Sequence, residues 1–274
     1  MFFKRLCSSI VIVIVTLAVN LIGGPVLAAE LLVISLIGLC EYNRAVGVGT
    51  QGKGLNLIEA VTFFGSVVFY VTGYFAKNLE RYLLLVIVIV FVLLMTVYVF
   101  SFPKYEARQV IHAFFGFIYV PVMLSFIYFT RNLQHGEYTV WLIFIGSWIC
   151  DTCAYCTGML FGRHKLAPVL SPKKSIEGSI GGIVGAALVA AAFAYFLVES
   201  MVPNQKITWL FVTIGLVGAV VSQIGDLAAS AIKRNHGIKD YGKVIPGHGG
   251  ILDRYDSVIF TAPMIYFLAV IFMH

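Results

Sequence analysis

Between Gly225 and Asp256 the chain reads GDLAASAIKRNHGIKDYGKVIPGHGGILDRYD. The stretch holds four carboxylates, five Lys or Arg, two His and six Gly. Apolar runs long enough to cross a bilayer flank it on both sides. Ionisable groups beside hydrocarbon are costly, so a cluster of them needs a reason. Carboxylates hold hard cations through oxygen, Lys and Arg take phosphate oxygens, and glycine lets backbone come close to such a ligand. The mixture suits a bound metal and a bound polyphosphate.

Spacing gives these groups an arrangement. On a helix Asp226, Ser230 and Lys233 stand at i, i+4 and i+7 and share a face. Asp253 and Asp256, at i and i+3, share a face at the start of the next apolar run. If those helices are antiparallel neighbours, Asp226, Asp253 and Asp256 reach one depth, as a metal site requires. Capping of the helix dipole is the plainer role for Asp253 and Asp256; Asp226 lies at the wrong helix end for it. Asp151, inside an apolar run, is a further metal candidate, with pairing to a cation such as Arg254 as the structural alternative. The basic loop Ser171 to Gly178 leads into a helix. Lys173, Lys174 and Ser175, with the N–H groups of that helix start, make an expected anion site. Plain residues marking the cytoplasmic side are the alternative for Lys173 and Lys174. Arg234, Lys239, His248 and Arg254 complete the expected phosphate ligands, Arg binding bidentately and Lys as a point charge. Other features read as background. Cys150, Cys153 and Cys156 are small packing residues, a metal or cluster site being the alternative. Gly178, Gly181, Gly182 and Gly185 allow close helix packing, with a phosphate cradle at Gly178 as the alternative. Glu41 and Tyr42 are expected to anchor a helix end at the interface.

The stretch SAIKRNHGIKDYGKVIPGHGGILDRYD closely resembles the signature of the phosphatidate cytidylyltransferase, or CDP-diacylglycerol synthase, family. Ser230, Lys233-Arg234, Lys239-Asp240, Gly242, Ile245-Pro246, His248-Gly249-Gly250, Asp253-Arg254 and Asp256 carry the resemblance. Tyr255 stands where that pattern has an aliphatic residue or Thr. A second block, DTCAYCTGMLFGRHKLAPVLSPKKSIEG from Asp151 to Gly178, is similar to another part of the family. The resemblance implies transfer of a cytidylyl group from CTP to phosphatidic acid, giving CDP-diacylglycerol and pyrophosphate. The expected catalytic set is then Asp226, Asp253, Asp256 and Lys233, and the expected metal ligands are Asp226, Asp253, Asp256 and Asp151. Mg²⁺ is the expected ion, with Mn²⁺ or a monovalent cation as alternatives. Membrane lipid is an expected partner, and a homodimer is what the resemblance suggests. Two other readings stay open: a related CTP-dependent lipid kinase or cytidylyltransferase with another lipid substrate, and a transporter of a phosphorylated solute. Against the transporter, the charges gather at one face rather than at mid-membrane, and no internal repeat is visible.

The elements that must position these groups follow from composition. Of 274 residues, 60% are hydrophobic and 12% charged, with a mean hydropathy of +0.94. Soluble domains carry about 25% charged residues. The reading is an all-α polytopic membrane protein, and its net charge of +6 concerns orientation and anionic lipid or phosphate rather than nucleic acid. Apolar runs fall at roughly 7–22, 27–46, 57–76, 82–102, 110–130, 138–161, 178–201, 207–232 and 251–273, about nine helices, each near the ~20 residues a span needs. Gly23-Gly24-Pro25 ends the first. Alternatively Lys4-Arg5, the apolar run and Val26 to Ala29 form a signal peptide with its cleavage site. No linker separates soluble domains. Residues 1–137 read as N-terminal helices and 138–274 as the catalytic region of one membrane-embedded unit. With alternating loops, about fourteen Lys and Arg fall on one side and about four on the other. The richer side is expected to be cytoplasmic, placing the N-terminus and both motif blocks at the cytoplasmic face of the cell membrane.

Overall fold

The computed structural model describes residues 2–49, 54–76, 79–201, 207–245 and 249–273. Its helices are α1 (Phe2–Ile22), α2 (Gly24–Ala45), α3 (Leu57–Phe75), α4 (Leu79–Phe100), α5 (Ala107–Phe117), α6 (Met123–Arg131), α7 (Gly136–Phe144), α8 (Cys150–Phe161), α9 (Ile176–Phe193), α10 (Ile207–Asn235) and α11 (Leu252–Met273). π-helical turns at Ile118–Val122 and Ile145–Ile149 join α5 to α6 and α7 to α8. Among the described residues, eight helical stretches from Gly24–Ala45 to Leu252–Met273 are long and apolar enough to cross a membrane. The first expected run lies in α1, where Val11–Ile22 is apolar. The all-α polytopic reading therefore holds.

Local chemistry sets the breaks. Between α1 and α2, Gly23 has φ 68, a left-handed conformation that glycine adopts without strain. Pro25 follows in the first turn of α2, where a missing N–H costs nothing. Asn56 and Glu59 close a capping box at the start of α3. Pro121 lies within the π turn Ile118–Val122, which absorbs the donor that proline lacks. At 1.5 Å per residue a helix of 29 residues is about 43 Å long, well beyond the ~30 Å hydrocarbon core. The polar end of α10, from Asp226 to Asn235, therefore has length to spare for the headgroup region.

One expected loop is ordered. β1 (Lys165–Ala167) and β2 (Ser171–Ser175) pair antiparallel, Lys165 opposite Ser175 and Ala167 opposite Ser171. Pro172 is tolerated because a two-stranded ribbon has only edges. This hairpin delivers Lys173 and Lys174 to the start of α9.

The chain packs as two compact units, Met1–Tyr128 with His236–Arg254, and Phe129–Asn235 with Tyr255–His274. In the first unit Tyr42 lies 5.9 Å from Tyr119 and 6.0 Å from Phe115. Phe69 meets Phe117 edge-on at 6.2 Å. In the second unit α8 and α9 approach closely because α9 carries glycine there. A Cβ on Gly182 would stand 2.8 Å from the Ala154 Cβ, and one on Gly185 2.7 Å from the Cys153 Cβ. Gly182 and Gly185 thus pack against α8 as expected, with Cys150 and Cys153 among their neighbours, whereas Cys156 is exposed. Cys150, Cys153 and Cys156 are free thiols, Cys150 being buried.

Candidate active site

The second unit contains a cavity of about 470 Å³. Its walls come from α8 (Asp151, Ala154, Tyr155, Gly158, Met159), β1 (Leu166), β2 (Lys173, Lys174, Ser175), the start of α9 (Gly178, Ser179) and α10 (Gln223, Asp226). Six residues singled out from the sequence, Asp151, Lys173, Lys174, Ser175, Gly178 and Asp226, meet here. Lys174 Nζ forms an ion pair with Asp226 Oδ2, their side chains being 28% and 23% exposed. A cation thus already faces the Asp226 carboxylate.

The start of α9 differs from expectation. Ser175 is the N-cap, and its Oγ accepts a hydrogen bond from Gly178 N at 3.1 Å. Ile176 N donates to His164 O at 2.9 Å. The N–H groups of Ile176 and Gly178 are therefore engaged, and Gly178 N is no phosphate cradle. What the cavity offers an anion is the two lysines. Glu177, beside them, is turned away: its carboxylate accepts from Arg163 N at 3.0 Å and lies 2.6 Å from His164 Nδ1.

A second group lies in the same unit. Ser257 Oγ donates to Asp151 Oδ2 at 3.4 Å. Asp256 Oδ1 accepts from Ser257 N at 3.0 Å. Lys233 Nζ stands 3.6 Å from Asp256 Oδ2, and both residues are buried. Arg234 is exposed in the last turn of α10.

Lys239, Asp253 and Arg254 belong to the first unit. Asp253 is 7% exposed, and its Oδ2 accepts from Tyr241 N at 2.8 Å and Gly250 N at 2.9 Å. It ties the turn before α11 to the helix start. Gly249 has φ 88, and a Cβ there would stand 2.9 Å from Asp253 Oδ2. Lys239 is exposed and Arg254 half-buried. His248 lies outside the described residues.

Among the described residues, no three His, Cys, Asp or Glu side chains are gathered closely enough to hold a metal ion. Asp151, Asp226 and Asp256 offer carboxylate oxygen, the donor a hard cation takes, and in this structure two of them face an ammonium.

Comparison with known proteins decides the family. The model of the "Cytidylyltransferase family" matches residues 3–272. The chain belongs to the cytidylyltransferase family. Similar relatives include a phosphatidate cytidylyltransferase of Staphylococcus aureus (strain COL), 32% identical over 269 residues, covering 97% of this chain and 98% of that one. Another, from Staphylococcus haemolyticus (strain JCSC1435), is 30% identical over 272 residues, with 97% and 98% covered. A third, from Staphylococcus epidermidis, is 40% identical over 149 residues, with 54% and 55% covered. As a cytidylyltransferase the protein is an enzyme, a nucleotidyltransferase.

Two residues of this cytidylyltransferase were missed by sequence reasoning. Gln223 lines the cavity. Its Oε1 accepts from Ser179 Oγ, and its Nε2 donates to Ser179 O at 2.9 Å. Its position three residues before Asp226, on the same helix face, was the available signal. Glu41 is not the interfacial anchor expected. It is 3% exposed, and its carboxylate accepts from Ile251 N at 3.1 Å and Leu252 N at 2.9 Å.

Proposed function

We propose that the protein transfers the cytidylyl group of CTP to phosphatidic acid, forming CDP-diacylglycerol and pyrophosphate. The observation that carries this reading is the cavity in which Lys173, Lys174, Asp226 and Asp151 meet, in a chain similar over 97% of its length to enzymes named phosphatidate cytidylyltransferase. At about 470 Å³ it falls in the range of small-molecule sites. Tyr155 and Met159 on its wall are exposed apolar side chains, which suits a lipid acceptor.

A phosphate monoester has its second pKa near 6, so the lipid phosphate is largely ionised at neutral pH and needs no strong base. One of its oxygens attacks the α-phosphorus of CTP. The bond from that phosphorus to the oxygen bridging to the β-phosphorus breaks, and pyrophosphate leaves with the electron pair. The obstacle is the meeting of two polyanions, so catalysis is positioning and charge neutralisation. In our reading Lys173 and Lys174 take phosphate oxygens as point charges, and Asp226 holds Lys174 against the cavity wall. Lys233, held by Asp256, serves in the catalytic set, and Arg234, Lys239, His248 and Arg254 are further phosphate ligands. Asp226, Asp151 and Asp256 are proposed to hold a divalent ion, with Asp253 added on its place in the motif alone. Such an ion, Mg²⁺ first and Mn²⁺ as the alternative, would offset charge on the phosphates when bound.

The decisive assay supplies labelled CTP and phosphatidic acid to the purified protein in detergent and follows liponucleotide. Its formation is expected. A product formed only with another lipid, or phosphorylation of a lipid alcohol by CTP, would replace this reading by a related CTP-dependent one.

The reading places the hairpin and the signature loop in the cytoplasm of a multi-pass cell-membrane protein, with the N-terminus inside; a homodimer is proposed on the resemblance alone. Single cysteines at Arg163 and Lys239, in a background lacking native cysteine, should resist an impermeant thiol reagent in intact cells. Labelling of both from outside would reverse the orientation.

A further inference from the structure

The start of α11 is fastened by a residue far away in sequence. Within the first unit, Ile251 N donates to Glu41 Oε1 at 3.1 Å and Leu252 N to Glu41 Oε2 at 2.9 Å. Gly250 N, the neighbouring donor, goes to Asp253 Oδ2 at 2.9 Å. Two buried carboxylates thus divide three successive N–H groups between them. Both oxygens of Glu41 are used, and bonds to an ionised acceptor are about twice as strong as neutral ones. A negative charge at a helix N-terminus is favourable in itself. Glu41 sits in the last two turns of α2.

Space around Glu41 tells the same story. A Cβ on Gly242 would fall 2.6 Å from Glu41 Cδ, and one on Gly250 2.5 Å from it. Both distances are shorter than any contact between carbon atoms. The Glu41 carboxyl group fills the room that side chains at those two glycines would need. Tyr241 N, next to Gly242, is bound by Asp253 Oδ2 at 2.8 Å. Asp253 therefore joins Tyr241 to Gly250, and Glu41 holds the two residues that follow.

We infer that Glu41 is a positioning residue for the transferase reaction: it locks the backbone at Ile251 and Leu252, the entry to α11, onto α2 and so fixes the adjacent Asp253 carboxylate. The inference rests on the function proposed above. Glu41 does not touch substrate in this account; it acts through the backbone that carries Asp253.

The test uses the full-length protein in detergent, as Glu41→Gln, Glu41→Ala, Gly250→Ala and the double variant Glu41→Ala/Gly250→Ala. Glu41→Gln keeps shape but has one acceptor oxygen for two donors. It is expected to lower kcat at least about tenfold with the KM for CTP within about twofold. Amide hydrogen exchange at Ile251 and Leu252 should speed up at least about tenfold. Gly250→Ala should be strongly impaired, and removing the Glu41 carboxyl should relieve it, so that the double variant is no slower than Glu41→Ala. Wild-type kcat together with unchanged exchange in Glu41→Gln overturns the proposal. So does faster exchange with unchanged kcat, which would leave Glu41 a purely structural cap. If the unaltered protein made no liponucleotide from CTP and phosphatidic acid, the function would fail instead, and exchange would still decide whether Glu41 holds the loop.

Discussion

Asp226→Asn is expected to lower turnover by on the order of a thousandfold or more, in a protein that still inserts and purifies. The residue faces the cavity from α10, and the substitution removes its charge at nearly constant volume. Survival of the fold follows from the exposure of its ion pair. With Lys174 and Asp226 about a quarter exposed, solvent screens them, and such pairs contribute roughly 0–1 kcal/mol. Lys174→Met should also impair turnover, chiefly by raising the KM for CTP if Lys174 meets phosphate. The double variant separates chemistry from structure. Were the pair only a strut, removing both partners would leave no unpaired charge and activity would recover. In the catalytic reading the double variant is at least as slow as the slower single, with effects that do not add because both act in one site. Recovery of turnover in the double variant would sink the assignment of both residues.

What could be read from the sequence divides along physical lines. The spans were legible because a bilayer demands about twenty apolar residues, and the sequence has little else outside the two motif blocks. The cavity residues Asp151, Lys173, Lys174 and Asp226 were legible because charges in such surroundings stand out. Glu41 was not. A single acid at the end of an apolar helix looks like an anchor, and its partners lie 210 and 211 residues away. Nor was the hairpin. Strands of three and five residues are too short to show alternation, and lysines and a proline break the pattern. The helix start at Ser175 was misjudged for a subtler reason. The capping residue was recognised as a helix-start polar group, but a side chain that caps a helix consumes the N–H group it might otherwise leave for an anion. Gln223 escaped because a lone amide carries no charge to draw attention.

Asp253→Asn is the sharper test of the metal, because the structure supplies a competing role for this residue. Asp253 Oδ2 accepts from Tyr241 N and Gly250 N, so loss of function in an alanine variant would say only that the loop had come loose. Asparagine keeps an oxygen in that place, and it caps helices about as well as aspartate. The Asn variant therefore preserves the backbone bonds and removes the charge. If capping is all that Asp253 does, the Asn variant should work at close to the normal rate. If it holds a divalent ion, turnover should fall by on the order of a thousandfold, while melting and amide exchange across Tyr241–Leu252 stay near those of the unaltered protein. Chelation reads the same ion without mutation. Excess EDTA should abolish liponucleotide formation, and Mg²⁺ or Mn²⁺ should restore it, since either supplies a hard cation for carboxylate and phosphate oxygen. Direct titration of Mn²⁺, followed by its magnetic resonance signal in the absence of substrate, should show binding to the unaltered protein and weaker binding to Asp253→Asn. A fast Asp253→Asn enzyme that also turns over fully in EDTA would leave charge neutralisation to Lys173, Lys174, Lys233 and the arginines alone.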